Sequence, residues 1–348
     1  MATATTPLLR LADTLVGPHG VDRYLELVRP TWTLREARAR VASVDRGVPG
    51  AVTLRLRPNA AWKGHRAGQF VRLAVEIDGV RHERCYSPAG PEGDRGAIEL
   101  TVRTHADGLV SRHLADHAQP GLVVGLSQAD GDFVLPRPRP DRLLLISGGS
   151  GITPVLSMLR TLCAEGHRGD VLFLHFSPAP ERTLHRAELD AIAAAHPNVT
   201  VALRHTRAGD GHLTAADLPG RLAAAPAYVC GPPALLDAAR TLIEPQRLHV
   251  ESFLPPVWTV PAGEADGHLR FTASGAQAQN SGAPILVQAE AAGLTPAHGC
   301  RMGICHSCTC RKTTGSVRNV LTDEISSAPD EDVQICVTVP LGDVAIDL

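Results

Sequence analysis

The sequence predicts a multidomain chain: an antiparallel β-barrel over about 38–138, an α/β domain on a parallel sheet over 139–255, and a smaller α+β domain over 268–348. Three observations lead there. At 348 residues the chain is long for one domain and suits two or three. Short strand-like runs parted by turn residues give way near residue 139 to strands alternating with helix-length segments. The Pro- and Gly-rich "PPVWTVPAGEADGH" then marks a linker, 256–267, before the last segment.

The elements follow in order. Residues 1–37 form an extension in which Val21, Leu25 and Val28 have helical spacing, as a helix lying on the next domain or a docking or membrane-surface segment would. "AVTLRLRP", "QFVRLAVEID", "AIELTVRT" and "LVVGLS" read as barrel strands separated by turns such as "PEGDRG". From 139 on, "DRLLLIS", "DVLFLHF", "VTVALRHT" and "AAPAYVCG" read as buried strands. The helices between and after them are "PVLSMLRTLCAEG", "RAELDAIAAAHP" and "PALLDAARTLI", an alternation that implies a parallel sheet. The last segment opens with a strand, "LRFTA", and a helix, "APILVQAEAAGL", with Pro284 in its first turn and Gly293 at its end.

Composition excludes several classes. A net charge of −2 argues against a general nucleic-acid binder. No apolar run reaches membrane-spanning length and the N-terminus lacks signal-peptide character, so a cytoplasmic protein is expected. In that reducing compartment, clustered cysteines favour metal or redox chemistry over disulfides.

Four of the eight cysteines lie in "CRMGICHSCTC". Cys300, Cys305 and Cys308 give Cys-x4-Cys-x2-Cys, and 27 residues separate Cys308 from Cys336 in "VQICVTVP". This is the plant-type ferredoxin spacing for a 2Fe–2S cluster, with three thiolates from one loop and the fourth from a later strand. Gly299, Gly303 and Ser307 supply small side chains where the loop must wrap closely. A zinc ribbon would need a second Cys-x2-Cys pair, and a Rieske centre needs histidines where Met302 and Ser307 stand. Cys310 is read as an uninvolved neighbour, and His298 and His306 as loop histidines facing solvent.

Such a cluster accepts one electron at a time and needs a source. "ERCYSPAG" sets Arg84, Tyr86 and Ser87 together: a guanidinium fork for phosphate, an aromatic face for a planar ring and a hydroxyl donor. "HADGLVSRHL" brings Gly108 and Ser111 to a helix start. In "ISGGSGITPVLSML", Gly148, Gly149 and Gly151 let backbone approach a pyrophosphate, and Thr153 and Pro154 open the next helix. "YVCGPPALL" contributes Cys230, Gly231 and Pro232, and "HVESF" contributes Glu251 and Phe253.

In this order the motifs resemble the ferredoxin–NADP reductase superfamily, and specifically electron-transfer reductases with a C-terminal ferredoxin domain. More narrowly, "CRMGICHSCTCRKTTGSVRN" and "HGVDRYLELV" resemble bacterial flavodoxin/ferredoxin reductases that serve membrane fatty-acyl desaturases. The resemblance implies a flavin-binding barrel, an NAD(P)-binding α/β domain and a β-grasp ferredoxin domain. It implies Arg84 on the flavin phosphates, Tyr86 on the isoalloxazine and Ser87 near N5. Gly108 and Ser111 would lie at the flavin phosphates, Cys230 at the nicotinamide, and Glu251 and Phe253 near the flavin. FAD is implied over FMN, and NADPH slightly over NADH, although Pro178 stands where many NADPH-using relatives carry an arginine. Ser177, Arg182 or Arg207 could substitute for it. The expected acceptor is a diiron desaturase or hydroxylase. A Rieske-type ring-hydroxylating oxygenase or a cytochrome P450 is the alternative, and a metal-stapled interaction module with vestigial motifs is a distant third. Transient contact with a membrane-bound partner follows from the first reading. Arg301, Arg311, Lys312 and Arg318 would form a basic rim around the cluster loop that favours an acidic partner, unless they are simply solvated or meet the chain's own reductase domain.

Overall fold

The first sheet holds strands β1 (Ala37–Asp45), β2 (Ala51–Pro58), β3 (Val71–Ile77), β4 (Val80–Tyr86), β5 (Ile98–Arg103) and β6 (Val123–Leu126), and apolar alternation marks most of them. Their order is β4-β3-β6-β1-β2-β5, and every pairing is antiparallel. In β2, Val52, Leu54 and Leu56 point into the core while their neighbours face outward, as the pleat requires. The sheet curls so that β4 and β5 approach each other, and helix α1 (Leu109–His117) covers one side through Val110 and Leu114. Sequence reading missed β1 and β4; β4 carries no fully buried residue, so it shows no apolar alternation.

The computed structural model describes residues 31–33, 36–105, 108–253, 265–299, 301–303 and 306–348. They divide into units Met1–Ser252 and Phe253–Leu348. The helix expected around Val21–Val28 and most of the 256–267 linker lie outside the described residues. Among the described residues no helix is long and apolar enough to cross a membrane.

The second sheet of the first unit is β7 (Arg142–Gly148), β8 (Asp170–Ser177), β9 (Val199–His205), β10 (Ala227–Cys230) and β11 (Leu248–Glu251). Its order is β11-β10-β7-β8-β9, parallel throughout, with α2 (Ile152–Ala164), α3 (Arg186–Ala195) and α4 (Pro233–Leu242) as connections. The strand order reverses between β7 and β10. Open parallel sheets bind ligands at the carboxyl ends of strands flanking such a reversal.

The second unit holds β12 (His268–Phe271), β13 (Gln277–Gln279), α5 (Ile285–Ala291), β14 (Thr309–Thr314), β15 (Val317–Asn319), β16 (Ile325–Ser326), β17 (Glu331–Gln334), β18 (Thr338–Pro340) and β19 (Val344–Ile346). One sheet runs β13-β12-β19-β14-β17, with β12 parallel to β19, and a smaller one runs β16-β15-β18. Phe271, Ile285, Leu286, Ile335 and Val337 fill the core between them and α5. Pro284 caps α5, and Gly293, at φ +84°, follows its end.

Candidate functional site

At the strand-order reversal, Gly148 ends β7 and Gly149–Gly151 form one tight turn before α2. A Cβ on Gly151 would lie 2.3 Å from the carbonyl oxygen of Cys230 and 2.8 Å from the Gly231 nitrogen. Only glycine lets this turn seat on the loop after β10. Gly148 is also tight, its would-be Cβ 2.8 Å from Pro232 Cδ. The structure thus brings Gly148, Gly149, Gly151, Cys230, Gly231 and Pro232 together, with the amino end of α2 beside them. Thr153 and Pro154 are buried in the first turn, and the Thr153 hydroxyl donates to the Ser150 carbonyl at 3.2 Å, fastening the turn.

Register places Cys230 directly beside Glu251, with Sγ 4.0 Å from Glu251 Oε2. Burial, reinforced by Glu251, raises the Cys230 thiol well above its ordinary value. Glu251 keeps part of its surface exposed, yet packing around its carboxyl pushes it up to about 8.

Tyr86 ends β4 and packs against the barrel core; burial pushes its phenol up despite nearby Arg84. Arg84 Nη1 donates to the Glu83 carbonyl at 2.7 Å. Ser87 is 2% exposed, and its hydroxyl has no hydrogen-bond partner among the described residues. A buried polar atom left so is costly in a finished core, which fits a ligand-facing donor. Gly108 caps α1, and Ser111 Oγ donates to the Gly108 carbonyl at 3.1 Å and accepts from His105 N at 3.4 Å.

Sequence reasoning missed Arg103, at the end of β5. Its Nη1 lies 2.7 Å from where a Cβ on Gly149 would stand, so the barrel contributes a cation to the glycine turn. Burial holds Arg103 below its ordinary pKa, and neighbouring Arg182 and Arg207 add to the effect. None of these three arginines has a carboxylate partner among the described residues. Ser177, the other candidate near Pro178, is buried; its hydroxyl donates to the Ala179 carbonyl at 3.2 Å and shares a hydrogen bond with Thr183 Oγ1 at 2.8 Å. A linear motif has no means of showing Arg103, because it comes from another sheet.

In the second unit, Cys308 immediately precedes β14, and Cys336 occupies the turn between β17 and β18. The expected placement of Cys336 on a strand is therefore corrected: a turn frees its thiol from the pleat. Thr309 pairs with Gln334, and Ile335 N donates to the Cys308 carbonyl at 3.3 Å, so both cysteines reach the same end of the sheet. They are 1% and 5% exposed. Gly303 has φ +76°, and a Cβ there would meet Leu321 Cδ1 at 2.7 Å and Val337 at 3.0 Å, so the loop needs glycine. Two buried thiols beside a glycine-held loop fit an iron–sulfur cluster. Cys300 and Cys305 lie outside the described residues.

One member of the expected basic rim needs correcting. Lys312 is 0% exposed, its ammonium donating to the carbonyls of Gly315, Ser326 and Ala328. Arg301 pairs with Glu290, Arg311 lies 3.4 Å from Asp332, and Arg318 lies 3.8 Å from Asp323. Cys310 sits on β14 opposite Val333. His306 is exposed as expected, whereas His298 is half-buried between the Pro296 carbonyl and Arg301.

Three family models match separate stretches of the chain. The oxidoreductase FAD-binding domain family matches residues 51–134, the oxidoreductase NAD-binding domain family residues 145–241, and the 2Fe-2S iron-sulfur cluster binding domain family residues 273–341. Over 354 residues the chain is 35% identical to an NADPH oxidoreductase of Mycobacterium tuberculosis, covering 98% of this chain and 92% of that protein. It is 29% identical to the glycine betaine monooxygenase reductase subunit of Pseudomonas aeruginosa, over 81% of this chain and 87% of that one. The structure of phthalate dioxygenase reductase shares the fold, with a TM-score of 0.60, 24% identity, and coverage of 89% of this chain and 97% of that one. The chain belongs to the family of electron-transfer oxidoreductases that bind FAD and NAD(P) and carry a C-terminal 2Fe–2S domain.

Proposed function

We propose that the chain carries electrons from NADPH through FAD and the 2Fe–2S cluster to a membrane diiron fatty-acyl desaturase or hydroxylase. The observation that carries the electron-transfer reading is the order within one chain: a buried donor at Ser87, a glycine turn seated on Cys230, and buried thiols at Cys308 and Cys336. FAD bound there would supply the exchange between two-electron chemistry at NAD(P)H and one-electron chemistry at the cluster.

The protein's part is to position and tune. Arg84 and the α1 amino end, with Gly108 and Ser111, hold the flavin phosphates. Tyr86 offers a ring face and Ser87 a hydroxyl donor. Gly148, Gly149 and Gly151 cradle the pyrophosphate, braced by Thr153 and Pro154. Cys230, Gly231 and Pro232 leave room for the nicotinamide. Glu251, with its carboxyl pushed up to about 8, supplies a neutral acid beside Cys230 near pH 7. Cys300, Cys305, Cys308 and Cys336 ligate the cluster. The working domain limits are 38–138, 139–255 and 268–348.

The uncompensated cations Arg103, Arg182 and Arg207 support NADPH, since a 2′-phosphate wants guanidinium partners. The NADPH oxidoreductase name of the 35% identical relative points the same way. The desaturase reading rests on the cysteine-loop and N-terminal resemblances. A second reading, a Rieske-type oxygenase or cytochrome P450 as acceptor, has its own support: relatives are named as reductase components of glycine betaine monooxygenase and 3-ketosteroid-9-alpha-monooxygenase. The test is NADPH-driven product formation with purified acceptors of each kind. Turnover with the desaturase and none with Rieske or P450 oxygenases supports the first reading, and the reverse pattern overturns it.

A further inference from the structure

One face of α2 grips the loop that follows Ser87. Ser157, Arg160 and Thr161 stand at i, i+3 and i+4, hence on the same side of the helix. Ser157 Oγ donates to the Gly90 carbonyl at 2.6 Å. Arg160 Nη1 donates to the Ala89 carbonyl at 2.8 Å and to Glu99 on β5 at 2.7 Å. Thr161 Oγ1 accepts from Glu92 N at 2.9 Å. Helix α3 completes the guanidinium's shell: Glu188 receives Nε at 2.6 Å and Nη2 at 2.5 Å. His185 continues the network, with Nδ1 3.6 Å from Glu188 and Nε2 2.9 Å from Thr101 Oγ1 on β5. The loop is also tied to the barrel, since Ala89 N donates to the Glu99 carbonyl at 2.8 Å.

The choice of partner atoms carries the argument. An interface that merely glued two sheets together would be served by side-chain pairs anywhere along it. Here three helix residues instead address the peptide groups of 89, 90 and 92, and that segment begins two residues past Ser87. The same helix starts at the Gly149–Gly151 turn, about 12 Å along its axis from Arg160 at 1.5 Å per residue. A single stiff rod therefore links the nucleotide cradle to the loop carrying the flavin-side donor. Arg160 is only 15% exposed, and its bonds to Glu99 and Glu188 are charge-assisted, the stronger kind.

We infer that Arg160, with Ser157 and Thr161, is a positioning element for hydride transfer, fixing the Ser87 loop against the nucleotide turn so that nicotinamide and flavin meet at reacting distance. This rests on the electron-transfer reading above. A displacement of about 1 Å between reacting groups can cost roughly 100-fold in rate.

The experiment uses the full-length, flavin- and cluster-loaded protein and the variants Arg160→Gln, Arg160→Lys, Thr161→Val and Ser157→Ala. Rapid mixing with NADPH separates the limiting rate of flavin reduction from the nucleotide Kd, and deuterium uptake reports on the loop. Arg160→Gln should lower the limiting rate roughly 10- to 100-fold with little change in Kd. It should speed exchange in peptides spanning 87–93 and leave β7 unchanged. Arg160→Lys should recover part of the rate, and Thr161→Val and Ser157→Ala should each slow reduction several-fold. Folded Arg160→Gln that reduces flavin at the wild-type rate overturns the inference. Should Arg160→Gln not fold, Thr161→Val and Ser157→Ala decide: wild-type limiting rates in both overturn it, and slowed rates support it. A wild-type flavin that neither NADPH nor NADH reduces would instead sink the electron-transfer reading, and this inference with it.

Discussion

Replacing Gly151 by alanine puts one methyl group where two strand ends meet. Its Cβ would sit 2.3 Å from the Cys230 carbonyl oxygen and 2.5 Å from the carbonyl carbon, about 1 Å inside ordinary contact. Both are backbone atoms, so no side chain can swing aside. Gly151 has φ −64°, which alanine adopts freely, so the entire cost is overpacking, about 1–3 kcal/mol. For a unit of this size that corresponds to a melting-temperature drop of roughly 2–12 °C. The forced shift falls between the glycine turn and the Cys230–Pro232 loop, so nucleotide binding should weaken as well. The assay is thermal melting together with NADPH-dependent flavin reduction, with the dithionite-reduced cluster spectrum as control. Gly151→Ala should melt lower and raise the NADPH KM at least tenfold, with the cluster spectrum unchanged. Wild-type melting and wild-type KM would refute the close-packed turn.

Three further predictions follow from particular contacts. Lys312→Met removes the donor shared by the carbonyls of Gly315, Ser326 and Ala328, and should destabilise the 2Fe–2S unit by roughly 3–5 kcal/mol in chemical denaturation, without touching flavin reduction. Glu251→Gln tests the raised carboxyl. A native pKa of about 8 against a lower unfolded value means that folding retains a proton, so wild-type stability falls as pH rises from the ordinary carboxylate range towards 8 and levels off above it. The variant should therefore gain melting temperature over wild type at about pH 8.5 and not at about pH 4, with an upper bound near 4–5 kcal/mol that partial exposure reduces. Arg182→Ala combined with Arg207→Ala should raise KM for NADPH at least tenfold and leave NADH unaffected; equal effects on both nucleotides would remove the 2′-phosphate reading.

Much of the fold was legible because its signals are local. Parallel strands buried on both faces read as apolar runs such as "LLLI" and "VLFLHF", and both turned out to be sheet strands. The glycine turn was legible for a different reason: backbone that must pass within van der Waals contact of other backbone tolerates no Cβ, and Gly151 meets that condition. What escaped depends on partners far away in the chain. β4, "VRHERCY", is a strand because β3 pairs with it, not because of its own charged sequence. Arg103 and Arg160 acquire their roles from Gly149 and from the 89–92 loop, on other elements. Lys312 misled for the same reason, since a lysine written beside a cluster loop suggests surface charge until three carbonyls are found around it. The plant-type cysteine spacing implies a strand at Cys336, whereas the chain turns there between β17 and β18, because a register that ends at Gln334 cannot be read from spacing.

On the proposed function, electrons that enter as a hydride pair leave this chain one at a time through the C-terminal cysteines. Anaerobic titration of the full-length protein with NADPH, followed by low-temperature electron paramagnetic resonance, tests it most directly when run beside Cys308→Ser. The wild type should give a reduced 2Fe–2S signal, and the variant should lose it while NADPH still bleaches the flavin. A wild-type chain with bleached flavin and no such signal, or a signal that survives Cys308→Ser unchanged, would contradict it.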